Sequence, residues 1–112
     1  MTLEERVVQA ARGFALCELT DSEGNIRTIE PYMVYTSTKG KRLFHCYQLS
    51  GFSERGQTQG WKNPEVESFV EVQVLQDKFE PRPEYNPFNL KMFPVVHSAI
   101  PTIDGKQREE VV

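Results

Sequence analysis

IRTIEPYMVYTSTKGKRLFHCYQL, residues 26–49, decides the fold. Its first half, 26–37, is rich in β-branched and aromatic residues and reads as a strand. Lys39-Gly40 is a tight turn, and residues 42–49 read as a second strand, so the stretch is an antiparallel hairpin. Pro31 has no N–H to give to a sheet ladder, so a bulge or an edge is expected there. Upstream, FALCELT (14–20) alternates and gives a strand. DSEGN (21–25) then makes a turn, in which Asp and Asn bond their own backbone and Gly24 accepts positive φ.

Further out, Thr2 and Glu5 form a T-x-x-E capping box for a helix over 2–13. Leu3, Val7, Ala10, Ala11 and Phe14 make its apolar stripe, and Gly13 stands at its C-terminal cap. Residues 50–60 (SGFSERGQTQG) form a polar, glycine-rich loop long enough to carry function. Trp61 and Lys62 open a short fourth strand that Asn63-Pro64 breaks. Residues 66–76 are a half-buried strand in which Val70, Val72 and Val74 alternate with Glu71, Gln73 and Leu75. Four prolines between 81 and 94 predict an extended arm over the surface. Residues 90–103 are apolar and suit docking on the sheet or on a second subunit, and the polar tail from 104 is expected to fray. The fold class is therefore mainly β (α+β) in one domain. A strand unit with its N-terminal helix covers 1–80, and an arm and tail of the same domain cover 81–112.

The 112 residues suffice for one core without staples, and a net charge of −3 argues against a general nucleic-acid binder, leaving room for a local basic patch. No eighteen-residue apolar run exists, so no membrane span is expected. MTLEERVVQA carries acids where a signal peptide needs a basic and then an apolar region, so the expected location is cytoplasmic. Cys17 and Cys46 read as buried thiols. With His45 and His97 they lack ligand spacing, so neither a metal nor a cofactor is expected.

The order of pieces resembles the WYL domain. The matching residues are Arg27-Thr28-Ile29-Glu30-Pro31-Tyr32, Arg42-Leu43-Phe44-His45-Cys46-Tyr47, Gly60-Trp61-Lys62, and the run from Val72 to Pro81. Together they span about residues 3–85. The resemblance implies a short helix before a strongly bent, five-stranded antiparallel Sm-like barrel. It also implies a regulatory module, found mostly in bacterial transcription factors and defence-associated proteins, that senses nucleotide or oligonucleotide ligands on a basic, aromatic face. Here the name-giving triplet is Arg42-Leu43-Phe44. Lys62 alone keeps the fourth-strand charge, with Arg55 in the preceding loop as a substitute. No helix-turn-helix precedes the domain, so reading duplex DNA unaided is not expected.

Candidate ligand-binding residues are Arg27, Arg55, Trp61, Lys62 and Tyr47. Arg27 can grip a phosphate bidentately, or simply pair with Glu30 or Glu18. Trp61 and Lys62 can stack a base and neutralise its phosphate, or plug the end of the sheet and stay solvated. Tyr32, Tyr35 and Tyr47 form either a stacking face or core. Glu65, Glu67 and Glu71 fall on one strand face, solvated or paired for acid–base work. His45 as a general base lacks a relay in sequence, because adjacent Cys46 points to the opposite face, leaving only Cys17 across the strands. No catalytic residue is expected. The first reading is a nucleotide-like or small-anion sensor signalling through protein contacts. The alternative is a protein–protein adaptor or self-associating barrel, with arm exchange giving a homodimer, and the third is a small hydrolase or isomerase using His45.

Overall fold

Thr2 starts α1 (Leu3–Arg12) as the capping box requires: Glu5 N–H donates to Thr2 Oγ1 at 3.1 Å, and Thr2 N–H donates to Glu5 Oε1 at 2.9 Å. The computed structural model describes residues 1–111. Val7, Ala10 and Ala11 form the buried face of α1. Gly13 ends the helix, yet the left-handed residue is Phe14 (φ 54°). Tertiary contacts hold it there: Phe79 N–H donates to the Phe14 carbonyl at 2.9 Å, and the two rings meet edge-on at 6.1 Å.

Strands follow as β1 (Ala15–Asp21), β2 (Ile26–Thr36), β3 (Arg42–Gly51), β4 (Gly60–Lys62), β5 (Phe69–Lys78) and β6 (Val95–Ala99), with a 3₁₀ turn at Val66–Ser68 before β5. The β1–β2 turn is tied by Asp21, whose Oδ1 accepts the N–H groups of Glu23 and Asn25, both at 2.9 Å. All pairings are antiparallel, in the order β4-β3-β2-β1-β5. The sheet is open. β4 is only three residues long before Asn63-Pro64 stops it, and it does not pair with β5 at the far end.

β6 is a strand that the sequence pattern did not reveal. It pairs with Met33–Thr36 of β2, on the side where β1 pairs only with Ile26–Ile29. Pro31 sits between the two partners, where a missing N–H leaves nothing unsatisfied. The β2–β3 register shifts between Pro31 and Met33, which is the expected bulge.

The sheet is apolar on both faces. One layer joins α1 to Cys17, Leu19, Ile29, Phe44, Cys46, Phe69 and Val72. Both thiols lie within it, and burial pushes each up to about 12. The second layer gathers Tyr32, Met33, Tyr35, Tyr85, Phe93, Val96 and Ile100. In β5 the even alternation fails: Phe69 and Val72 are buried, whereas Val70 is 65% exposed. A register shift opposite Thr20–Asp21 bulges the strand at Val70 and turns Phe69 inward. Glu65 and Glu67 precede β5, so they do not share a strand face with Glu71, and Glu65 pairs with Lys41 at 3.0 Å.

Residues 79–94 form no strand, but they do not merely skirt the surface, since Tyr85, Pro87 and Phe93 are buried. The tail is tied back at Arg108 and Glu110. The Arg108 guanidinium donates to Pro87 O (2.6 Å) and Phe93 O (3.0 Å), and Glu110 accepts from Ala99 N–H (2.9 Å). No helix among the described residues is long and apolar enough to cross a membrane.

Candidate functional site: a cleft beside β4

Arg27, Arg55, Trp61 and Lys62 line one cleft of about 830 Å³, between the β1–β2 turn and the β3–β4 loop. Arg27 enters from β2. Its guanidinium lies 5.4 Å from the Phe69 ring centre and 6.0 Å from that of Phe52, and donates to Gln48 Oε1 at 3.5 Å. Gln48 is fully buried and also donates to Phe52 O at 2.9 Å, so one amide positions the arginine and starts the loop. Gln48 looks like any outward polar residue in an alternating strand, which is why the pattern missed it.

Gly51 closes the strand where the backbones nearly touch. It has φ +105°, and a Cβ there would collide with Ile26 O and lie 2.6 Å from Arg27 Cα. Gly51→Ala is therefore expected to cost about 2 kcal/mol or more, read as a lowered urea midpoint, with loss of the Arg27 position. An unchanged midpoint would refute the close approach.

Lys62 Nζ donates to Gln57 O at 2.8 Å and lies 3.5 Å from Ser53 Oγ. Arg55 is exposed on the loop. Among the described residues, none of Arg27, Arg55 and Lys62 has a carboxylate within ion-pair distance. Four acids also line the cleft: Asp21, Glu23, Glu54 and Glu65. Asp21 is engaged by its own turn and Glu65 by Lys41, while Glu23 and Glu54 are exposed.

Register divides the four candidates that lie on strands between the sheet's two faces, with Arg27 opposite Leu19 on the side of the first layer. Lys62 stands opposite Cys46, on the side of the first layer, whereas Trp61 stands opposite Tyr47, on the side of the second. The Trp61 ring is therefore built into an aromatic cluster. It stacks on His45 (4.7 Å, 8°), meets Tyr47 edge-on (5.4 Å) and packs on Tyr32 (4.8 Å). Tyr47 does not line the cleft, and the Arg82 guanidinium covers its ring at 3.6 Å. Arg82 also makes a bidentate pair with Glu30 (3.0 and 3.1 Å), and Tyr32 Oη–H donates to the same carboxylate at 2.9 Å. Arg27 thus does not take Glu30, since the partner comes from beyond β5.

His45 is buried, and burial pushes its imidazole down to about 4 against the pull of Asn63. Its Nδ1 lies 2.8 Å from Asn63 Oδ1, an oxygen that also accepts from Tyr35 Oη at 3.0 Å. That amide oxygen makes Nδ1 the protonated nitrogen of the neutral ring. Cys46 points to the other face, donating to Lys62 O at 3.7 Å, and Cys17 lies in the first layer, so neither meets the imidazole. The described residues hold no cluster of metal-ligating side chains. No family model, no curated protein and no solved structure matches this chain.

Proposed function

We propose that this chain is a regulatory binding module that takes a small anionic, nucleotide-like ligand in the cleft beside β4. The observation that carries the reading is the convergence of three cations without carboxylate partners, Arg27, Arg55 and Lys62, on one concavity. Arg27 and Lys62 supply charge-assisted donors to phosphate oxygens, and Arg55 closes from the loop. Trp61 supports Lys62 from behind with its ring committed to His45, Tyr32 and Tyr47, so phosphate contributes more than base. We read the module as WYL-like, supported by a helix followed by antiparallel strands in the order β4-β3-β2-β1-β5, with the residues from 81 onward belonging to the same domain.

The test is thermal unfolding with pyrophosphate, a nucleoside triphosphate and a short single-stranded oligonucleotide. A probe at a hundred times its dissociation constant is expected to stabilise the fold by about 2.7 kcal/mol, a shift of roughly 10 °C or more. Arg27→Ala and Lys62→Ala should each weaken binding about ten- to a hundredfold, as loss of one charge-assisted contact does. A flat response from folded protein at millimolar probe overturns the reading. It would favour the alternative, a protein-binding adaptor, which has its own observation: Phe88, Leu90 and Met92 stand 43%, 68% and 41% exposed on one loop.

A further inference from the structure

β4 is three residues long and pairs with β3 on one side only, so its own ladder gives it little order. Beyond its end it is fixed to β3 by Phe44 N–H donating to Pro64 O at 2.9 Å and by the Asn63 amide, and within it the anchor is the Trp61 side chain. Two of the groups around that indole come from the segment after β5: its N–H donates to Glu84 at 3.4 Å, and the Tyr85 ring lies nearly parallel to it at 6.4 Å. A third, Tyr47, is clamped by Arg82 of the same segment, which the buried Glu30 anchors in turn. The next residue along β4 projects to the opposite face as Lys62, whose ammonium tethers the loop at Gln57. A single short strand is therefore gripped on one face by residues 82–85 and presents its cation on the other.

We infer that residues 82–85 control the cleft, by ordering β4 through Trp61 and so fixing Lys62 and the loop it holds. The effect on ligand rests on the cleft being the binding site, whereas the ordering of β4 does not. Because equilibrium coupling is reciprocal, an anion that orders Lys62 also tightens the segment on the opposite face. A partner that lifts residues 82–85 loosens the grip on anion.

Hydrogen exchange of the ligand-free chain tests this. The variants are Arg82→Lys, which keeps the charge but loses the planar stack on Tyr47, and Glu84→Ala, which removes the indole acceptor. Val7→Ala, in the first layer, serves as the control for general loss of stability. Both segment variants are expected to lower protection in residues 57–63 at least tenfold beyond the Val7→Ala effect, with α1 unchanged relative to that control. Equal losses in all three variants would overturn the inference. Pyrophosphate titration adds the second arm. Arg82→Lys should bind several-fold more weakly than the unaltered chain although Arg27, Arg55 and Lys62 are intact. Equal affinity would overturn the coupling. If the unaltered chain binds no probe, the proposed ligand function fails, and the exchange result still decides whether residues 82–85 order β4.

Discussion

Replacing Arg82 with methionine is expected to lower stability by about 2–3 kcal/mol, more than any exposed charge on this chain should cost when removed. Glu30 is 6% exposed, and its carboxylate is held by the guanidinium and the Tyr32 hydroxyl. Without Arg82, one hydroxyl remains against a buried charge. Breaking such pairs costs about 3–5 kcal/mol, discounted here because the arginine side chain is 33% exposed and water can reach part of the gap. Loss of the contact over Tyr47 adds to the cost. The double variant Glu30→Gln/Arg82→Met should be more stable than Arg82→Met alone, since the neutral amide does not need the cation. Urea midpoints of the four proteins in the cycle check this, and a double variant less stable than Arg82→Met would refute the assignment.

Acid should weaken the fold through His45. An unfolded imidazole titrates near 6.5, while the buried one titrates near 4, so between those values the unfolded chain binds more protons. Stability from the neutral ring is fully present above pH 6.5 and is lost as pH falls through 4, amounting to about 3 kcal/mol by pH 4. His97, also held down by burial, acts in the same direction. Unfolding free energies measured from pH 7.5 to 4 should therefore fall more steeply for the natural chain than for His45→Phe. That variant keeps a ring beside Trp61 and leaves Asn63 Oδ1 to Tyr35. Parallel curves would show that His45 does not titrate as an enclosed group.

The sequence made local features legible where their causes are local. Thr2 and Glu5 announce the helix, Asp21 and Gly24 the first turn, and Pro31 the bulge, because each acts on backbone within a few residues. β6 was not legible. Val95–Ala99 carries little alternation of its own and becomes a strand because β1 leaves half of β2 unpaired. The anchoring of the tail was not legible for the same reason: Glu110 meets Arg12 from 98 positions away. Of the candidate site, the cations were visible as residue types. The support of Arg27 by Gln48, and the Glu30–Arg82 pair behind Tyr47, were not, because polar residues in an otherwise ordinary strand or proline-rich run look solvated until a distant partner is known. Trp61 reads as a stacking partner because a cation adjoins it after a loop, and Tyr47 because it lies on facing hairpin strands, but the face they share is covered by the chain's own later residues.

The divided edge of β2 bears on how the protein is made. Residues 26–29 receive their neighbour from β1, already synthesised, but residues 33–36 wait for β6, 59 to 66 positions later along the chain. Until then, a nascent chain carries an unpaired strand edge and a bare aromatic face formed by Tyr32, Tyr35 and Trp61. A segment translated after β5 is therefore the one that covers this adhesive surface. A message cut short after β5 would yield a polypeptide with every strand of the five-stranded path and a strong tendency to stick to its neighbours.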